Sequence, residues 1–220
     1  MAQAQKKVMD SWKMKSWYSL ISPKFLGETQ FAQVPATDEE HLINRIIAIP
    51  LKEITADISH MYVTIRLRVS EIKGKTAFTK FIGHSISREY LSTLVRRRRD
   101  ALQIIFAVKS KDGVEFKVKA LVVTALPCSK AQKKALRATA NTELKAKINS
   151  SAFGEFILDV LNARISTQLY NKLKKIAPLK RVEVYKTELH EVFDTQEIIA
   201  KEKPAEEAAA APVAEAATHA

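Results

Sequence analysis

Apolar and polar side chains alternate along several stretches in the first half of the chain. The clearest stretch is 62–69, where branched apolar residues occupy every second position and the positions between them include Arg66 and Arg68. A period of two is typical of a strand with one buried face and one wet face. The pattern therefore predicts a strand whose exposed face carries two arginines.

The same alternation occurs twice around residues 102–122. It runs through 102–108, is interrupted at Asp112-Gly113 and resumes through 114–122, with Lys117 and Lys119 at polar positions. An Asp-Gly pair between two alternating segments is a strong signal for a β-hairpin. About seven short strands in total predict an antiparallel, barrel-like sheet. The weaker strand patterns lie at 17–21, 31–34, 45–49, 77–82 and 181–185.

Helical spacing appears between and after these strands. Ser87 is predicted as the N-cap of a first helix, and a second helix is predicted to begin at Ser129. A third helix follows Ser151, and a fourth ends before Pro178. The strands with flanking helices indicate the α+β class. The stripe expected to be buried on the first helix consists of Tyr90, Leu91, Leu94 and Val95.

Composition and charge narrow the classes of function. The 36 Lys and Arg residues outnumber the 24 Asp and Glu residues, which gives the 220-residue chain a net charge of +12. A balance this basic points to a polyanionic partner such as a nucleic acid. The single Cys128 excludes a disulfide scaffold and a thiolate metal cage. No apolar run is long enough for a membrane span, and no export signal is visible, so we expect a cytoplasmic protein.

Charge also divides the chain along its length. Residues 195–220 are rich in Ala and Glu and carry a net charge of −3, which leaves +15 for the rest. The segment has too few large apolar side chains to offset the entropy cost of ordering. We predict a flexible N-terminus over 1–11, a single RNA-binding α+β domain over 12–194 and a disordered C-terminal tail over 195–220.

The helix that follows Ser129 carries the most specific functional signal. At about 100° per residue, a polar and mostly basic set falls within roughly 120° of the helix surface. The helix has one acid, Glu143, and its larger apolar side chains fall at scattered angles without a broad stripe. An unpaired basic face suits a nucleic-acid groove or backbone, and an ordinary solvated face is the alternative. The set consists of Lys130, Lys133, Lys134, Arg137, Asn141 and Lys145.

A run of four arginines, Arg96–Arg99, follows the helix that Ser87 caps. Four consecutive helical positions cannot share one face unless the helix ends among them. One or two of these side chains would complement the C-terminal end of the helix dipole. Four arginines exceed what that role needs, and a guanidinium binds phosphate oxygens bidentately. The run therefore favours a phosphate-rich partner.

Aromatic and basic residues interleave near the start of the chain, where Trp17 lies among Lys13, Lys15 and Lys24. Such a pattern is typical of surfaces that stack unpaired bases while amines neutralise phosphates. Core positions for Trp17 and Phe25 are the equal alternative. The complete set of predicted RNA-binding residues is Lys13, Lys15, Trp17, Lys24, Arg66, Arg68, Lys75, Arg96, Arg97, Arg98, Arg99, Lys130, Lys133, Lys134, Arg137 and Lys145.

Few residues of the chain are spaced as catalytic groups would be. The five histidines are scattered, and none forms a metalloprotease pair or a nucleophile constellation with Cys128. His84, which follows Gly83, is more typical of a satisfied loop or core histidine than of a general base. The chain contains no Gly-rich phosphate loop. We expect a protein that is not an enzyme and that holds no cofactor and no metal.

Several short blocks, in their order and spacing, resemble one known family. It is the ribosomal protein family of archaeal and eukaryotic small subunits called S-one-e or S-three-A-e, and the resemblance extends from about Trp12 to Glu188. The blocks are Lys15-Ser16-Trp17-Tyr18, Pro23-Lys24, Gly27-Glu28-Thr29, Gly74-Lys75-Thr76, Phe81-Ile82-Gly83-His84, Ser87-Arg88, Asp112-Gly113 and Ala177-Pro178-Leu179.

The resemblance implies an RNA-bound structural protein on the platform of the small ribosomal subunit, near the messenger exit region. Its implied partners are small-subunit ribosomal RNA and neighbouring platform proteins, with messenger RNA nearby. The implied RNA contacts in this chain are Lys13, Lys15 and Lys24, the run Arg96–Arg99 and the stripe from Lys130 to Arg137. Thr139-Ala140 stands where eukaryotic relatives tend to have an aromatic residue. The alternative is a free-standing nucleic-acid-binding or RNA-processing protein.

Overall fold

The alternating segments form strands in the computed structural model, which describes residues 12–190. Every strand expected from the sequence overlaps a strand of the structure. The hairpin expected around Asp112-Gly113 is confirmed as well. In this part of the chain the strands are β1 (Ser16–Ile21), β2 (Gln30–Ala36), β3 (Ile46–Pro50), β4 (Val63–Lys73), β5 (Thr76–Ile86), β6 (Ala101–Lys109), β7 (Glu115–Thr124) and β8 (Leu179–Leu189).

The helices begin where the sequence places their caps. Ser87 Oγ accepts the Tyr90 N–H, and Ser129 forms a reciprocal capping box with Gln132. No helix among residues 12–190 combines the length and apolar character needed to cross a bilayer. The α-helices of the described residues are α1 (Lys52–Thr55), α2 (Arg88–Leu94), α3 (Lys130–Ser150), α4 (Phe153–Leu161) and α5 (Arg164–Leu173), and 3-10 turns lie at Lys24–Leu26 and Ile58–His60.

The turn of the β6–β7 hairpin also positions a helix. Gly113 adopts a φ of +78°, and its N–H donates to the Ser110 carbonyl over 2.9 Å. The Asp112 carboxylate accepts the Phe153 N–H over 2.8 Å at the first residue of α4. Because early helical N–H groups lack partners within the helix, this contact satisfies one of them and ties α4 to the hairpin.

The strands form one branched sheet in the order β2-β1-β5-β8-β7-β6, with β4 on the other edge of β5 and β3 beyond β4. The 11-residue β5 pairs with β1 through Thr76–Phe78 and with β8 through Gly83–Ser85. Gly83 is required at the second contact, since a Cβ there would lie 2.2 Å from the Thr187 carbonyl oxygen. One long strand therefore joins two groups of strands.

The prediction of about seven strands is close, since the described residues form a sheet of eight, but the prediction of an antiparallel, barrel-like sheet is wrong in two respects. The sheet is mixed because β1 and β5 run parallel, and it is not closed. The physical reason lies in β5, which pairs with β4 along one edge and with both β1 and β8 along the other. A sheet that branches at one strand ends in separate outer strands, here β2, β3 and β6, instead of meeting itself.

The three C-terminal helices cover one face of the sheet and form the main core with it. Helices α4 and α5 each bury one apolar face against the sheet. On α3 the prediction of scattered apolar positions is wrong, because Ala140 completes a buried row of residues spaced by four. That row consists of Leu136, Ala140, Leu144 and Ile148, and it packs with buried strand residues that include Val118, Ala120 and Val122.

The prediction of a buried stripe on α2 is wrong in degree. Tyr90, Leu91 and Leu94 are only half-buried, and Val95 is 45% exposed beyond the end of the helix. A helix of seven residues presents about two turns, and this one lies at the rim of a cavity instead of over the core. The aromatic ring of Tyr90 stacks on Tyr62 at the start of β4.

Candidate nucleic-acid interface

The basic side chains of α3 reach solvent beside a separate row of the same helix that is anchored in the core. Its buried row is at most 1% exposed, whereas Lys130, Lys134, Arg137 and Lys145 are all exposed. At 1.5 Å per residue, Lys145 lies about four turns from Lys130. The face therefore extends along most of the helix and matches an extended polyanion.

One member of this face already has an acidic partner. Lys133 Nζ lies 2.7 Å from Asp100 Oδ1, and Asp100 Oδ2 accepts the Cys128 N–H over 2.8 Å. The Lys133 hydrogen bond, followed by that of Cys128, lowers the pKa of Asp100 from its ordinary value. The prediction of an unpaired basic face is therefore wrong for Lys133, whose partner comes from outside α3.

Asp100 joins the arginine run to the first turn of α3. It directly follows Arg99, and its backbone is tied to β7 because the Thr124 N–H donates to the Asp100 carbonyl over 2.9 Å. Its own N–H donates to Thr124 Oγ1 over 2.9 Å. The structure thereby brings together two groups that are some thirty residues apart in sequence. We call them the α3–Arg surface, which consists of Arg96–Arg99, Lys130, Lys134 and Arg137.

The arginine run lies outside any helix. Helix α2 ends at Leu94, and Arg98 adopts a left-handed φ of +61° in the turn that follows. Arg96 Nε–H donates to the Thr93 carbonyl over 3.5 Å, so one arginine complements the end of α2. Arg96, Arg97 and Arg98 are exposed, whereas Arg99 is half-buried. Because the run lies in a turn, its guanidinium groups are not distributed around a helix axis.

The aromatic and basic residues near the start of the chain separate into surface and core positions. Trp17 is 55% exposed on β1, and Phe25 packs edge-on against Phe81 with ring centroids 5.7 Å apart. Lys15 Nζ lies 4.7 Å from the centroid of the exposed Trp12 ring. Lys13 is exposed as well. The core alternative thus holds for Phe25 and fails for Trp17.

A turn from a distant part of the chain lies beside this region. The Ser19 N–H donates to the Lys75 carbonyl over 2.9 Å, which places the exposed Lys75 beside β1. The exposed Lys24 lies beyond the other end of β1, in the 3-10 turn that carries Phe25. The structure therefore brings Lys75 near the strand of Trp17, whereas Lys24 lies beyond the opposite end of that strand.

Arg66 and Arg68 lie on the face of the sheet opposite the helices, and both are half-buried. Strand register extends their row, because Arg66 is opposite Gly83, Gly83 is opposite Glu188 and Glu188 is opposite Lys117. This outer face also carries residues that sequence analysis did not assign to the site. They are Lys80, Lys117, Lys119 and Lys186, and their signal was the polar half of the strand alternation.

Glu188 partly neutralises the outer face. Its carboxylate pairs with Lys119 Nζ at 3.0 Å and with Lys186, and these hydrogen bonds, that of Lys186 first, lower the pKa of Glu188. The sheet separates this face from α3, because Val118 packs under the helices whereas its neighbours Lys117 and Lys119 project the other way. The predicted residues thus form separate surfaces.

His84 is a core residue whose two ring nitrogens are both satisfied. Nε2 lies 3.0 Å from the Val184 carbonyl and must donate there, so Nδ1 accepts from the Thr187 hydroxyl at 2.6 Å. Burial lowers the pKa of His84 to about 4. This arrangement agrees with the interpretation of His84 as a satisfied histidine and leaves neither nitrogen free for proton transfer.

Comparison with known proteins matches residues 3–192 to the Ribosomal S3Ae family. The small ribosomal subunit protein eS1 of Methanococcus maripaludis is 37% identical over 214 residues, which are 97% of this chain and 95% of that protein. The eS1 proteins of Saccharolobus islandicus and Saccharolobus solfataricus are 36% identical over 185 residues, covering 84% of this chain and 89% of each relative. On both grounds, the chain belongs to the Ribosomal S3Ae family.

Proposed function

We propose that this protein is a non-catalytic structural component of the small ribosomal subunit that binds ribosomal RNA and so supports translation. The observation that carries the proposal is the α3–Arg surface, in which Asp100 holds the arginine run beside the basic face of α3. Membership of a family whose named relatives are small-subunit proteins supports the same assignment.

The mechanism we propose is electrostatic and geometric. Each exposed Lys or Arg of the α3–Arg surface neutralises an RNA phosphate and releases condensed counterions, while the main core keeps these charges at fixed spacing. No cofactor is required for this role. The N-terminal residues around Trp17 and the outer face with Arg66 and Arg68 would contact further RNA segments, so that one rigid body holds several together.

The position we propose within the subunit is the platform, near the messenger exit region. Its neighbours there would be other platform proteins, with messenger RNA close by. The protein would reside on cytoplasmic ribosomes without membrane contact.

The alternative, a free-standing RNA-processing protein, needs a general acid or base. The buried ring of His84, with both nitrogens hydrogen-bonded, argues against that histidine in the role.

Charge reversal on the α3–Arg surface tests the proposal. In cells that express tagged full-length chains, Lys134→Glu with Arg137→Glu should remove the protein from the small-subunit peak of a density gradient after a high-salt wash. Wild-type protein should remain there. The matched control is Lys52→Glu with Lys174→Glu, which changes net charge equally at exposed positions outside the surfaces described above. Wild-type protein found only in light fractions would contradict the proposal.

A further inference from the structure

A cavity of about 350 Å³ has no lining residue in either the α3–Arg surface or the outer face. Its walls come from the start of β4, helix α2, the turn between α4 and α5, and the first half of β8. Cavities of this size are typical of sites for small organic groups, especially where aromatic walls converge with a few polar atoms. The RNA-binding residues predicted from sequence include none of its lining residues.

Two stacked tyrosines form one wall. The rings of Tyr62 and Tyr90 have centroids 5.0 Å apart and planes inclined by 25°. Although Tyr62 is covered by its partner, it remains 43% exposed. An exposed aromatic ring held in place by a second ring is a preorganised platform for another flat π-system, because little side-chain entropy remains to be lost on binding.

A buried carboxylate also lines the cavity. Glu183 is 8% exposed, and its Oε1 accepts from Arg181 Nε–H over 2.7 Å while its Oε2 lies 3.4 Å from Ser166 Oγ. A carboxylate only accepts hydrogen bonds, and each of its oxygens has capacity for two. The ligand that suits this wall must therefore offer donors, and adjacent donors would use both oxygens.

The remaining polar groups fit a nucleotide. Arg181 places a guanidinium at the rim, where it is 53% exposed. Burial, followed by the negative charge of Glu183, raises the pKa of Tyr90, whose phenol is protonated at neutral pH and can donate a hydrogen bond. His84 contributes ring surface alone because its nitrogens are occupied. A second cavity of about 270 Å³ shares Arg181 and Glu183 and adds Lys180, a cation suited to a phosphate.

We propose that this cavity binds the base of an unpaired guanine nucleotide in RNA, with the base stacked on Tyr62 and its Watson–Crick edge facing Glu183. Guanine presents two adjacent donors, N1–H and the N2 amino group, which match the two carboxylate oxygens. Adenine and cytosine offer an amino group without an adjacent ring donor, and uracil offers a single imino donor. The inference rests on the proposed RNA-binding function and adds base recognition to it.

Binding of two short RNAs to the full chain tests the site. Fluorescein-labelled UUGUU should bind about tenfold more tightly than UUUUU at the same salt concentration, which is the size of discrimination expected for one well-paired base. Tyr62→Ala should abolish the difference, whereas Tyr62→Phe should keep it because the stacking surface remains. Equal affinities of the wild-type chain for the two RNAs would overturn the proposal.

The matched control is Trp17→Ala, which removes another exposed aromatic side chain from a different surface. It should weaken both RNAs equally and leave their ratio unchanged. Glu183→Gln, checked for folding by circular dichroism, should remove the preference for guanine while stacking persists. Titration with GMP identifies the source of the base: GMP should bind much more weakly than UUGUU, and equal binding would overturn the assignment to RNA in favour of a free nucleotide.

Crosslinking locates the base directly. UUGUU with 6-thioguanosine at its centre should crosslink, after irradiation, to a peptide that contains Tyr62 or Tyr90, and a crosslink confined to α3 would contradict the site. Tyr62→Ala should still enter the small-subunit peak, because the α3–Arg surface is intact. Absence of a guanine preference in the wild-type chain would therefore overturn the cavity proposal alone. Absence of the wild-type chain from the small subunit would overturn the proposed function.

Discussion

Adjacent lysines in α3 differ in the charge that they present. Lys134 is exposed, whereas Lys133 is held by Asp100 at 2.7 Å and contributes little net field to the surface. Counting every Lys and Arg therefore overstates the positive charge that is available to an RNA. The difference is set by a residue about thirty positions away in sequence, and it leads to a prediction about matched variants.

We expect Lys134→Gln to reduce the slope of log affinity for RNA against log salt by about one, since one phosphate contact is lost. The double variant Asp100→Asn with Lys133→Gln removes an already neutral pair and keeps an acceptor for the Cys128 N–H. Its slope should equal that of the wild type. Fluorescence anisotropy across a salt series measures both slopes, and equal losses in the two variants would show that Lys133 also meets phosphate.

His84 makes stability depend on pH in a defined direction. Its pKa falls from 6.5 in the unfolded chain to about 4 in the folded protein, so acid favours the unfolded state, which binds the proton more tightly. The free energy of unfolding should fall by about 2 kcal/mol between pH 7 and pH 4.5. Urea titrations at a series of pH values measure this loss.

The same pH window separates His84 from the carboxylates. Asp100 and Glu188 have pKa values lowered from 3.8 and 4.5, so most of the stability that they contribute is lost below pH 4.5. His84→Gln should be less stable overall and should lack most of the slope above pH 4.5. A slope unchanged in that variant would assign the pH dependence to other groups.

At the scale of elements, β5 joins the two halves of the sheet, and Gly83 is the position where it meets β8. A Cβ at Gly83 would lie 2.2 Å from the Thr187 carbonyl oxygen, a backbone atom that no side-chain rotation can move. The contact therefore controls whether the group of β1–β4 and the group of β6–β8 pair through β5.

Gly83→Ala should destabilise the protein by about 1 to 3 kcal/mol, because the two backbones must separate to admit the methyl group. Gly154→Ala is the matched control, since its Cβ would meet Phe25 Cβ at 3.4 Å and a helical position gains propensity. That control should be neutral or slightly stabilising. Urea unfolding of both variants tests the expectation, and a neutral Gly83→Ala would show that β5 and β8 have room to separate.

For the whole molecule, the rigid core determines how many phosphates are met at once. The α3–Arg surface presents six exposed cations, which are Arg96, Arg97, Arg98, Lys130, Lys134 and Arg137. Their spacing is held by the capping box of α3, its buried row and the Asp100 contacts. Binding through such a surface is dominated by counterion release, so the salt dependence reports the number of contacts.

If all six cations meet phosphates, affinity for structured ribosomal RNA should fall about 10³-fold between roughly 50 and 200 mM salt. Filter binding of the full chain across this range checks the number. A loss of less than about tenfold would mean that few of these cations meet phosphate, and the α3–Arg surface would then no longer account for RNA binding.

Local patterns in the sequence determined most of the elements. Alternation located the strands, Asp112-Gly113 located the hairpin turn, and Ser87 and Ser129 located helix starts, because each signal depends on contacts within a few residues. The resemblance blocks identified the family, which the comparison confirmed. The predicted tail over 195–220 lies outside the described residues.

Only the tertiary structure decided how these elements meet. The parallel pairing of β1 with β5, the contact of Asp100 with Lys133, the burial of His84 and the cavity beside Tyr62 each join distant segments. Side-chain periodicity within one strand or helix carries no information about which other segment covers it. Residue types and local geometry could therefore be predicted from the sequence. The net charge, protonation and solvent accessibility of the same residues depended on neighbours that only the folded chain brings into contact.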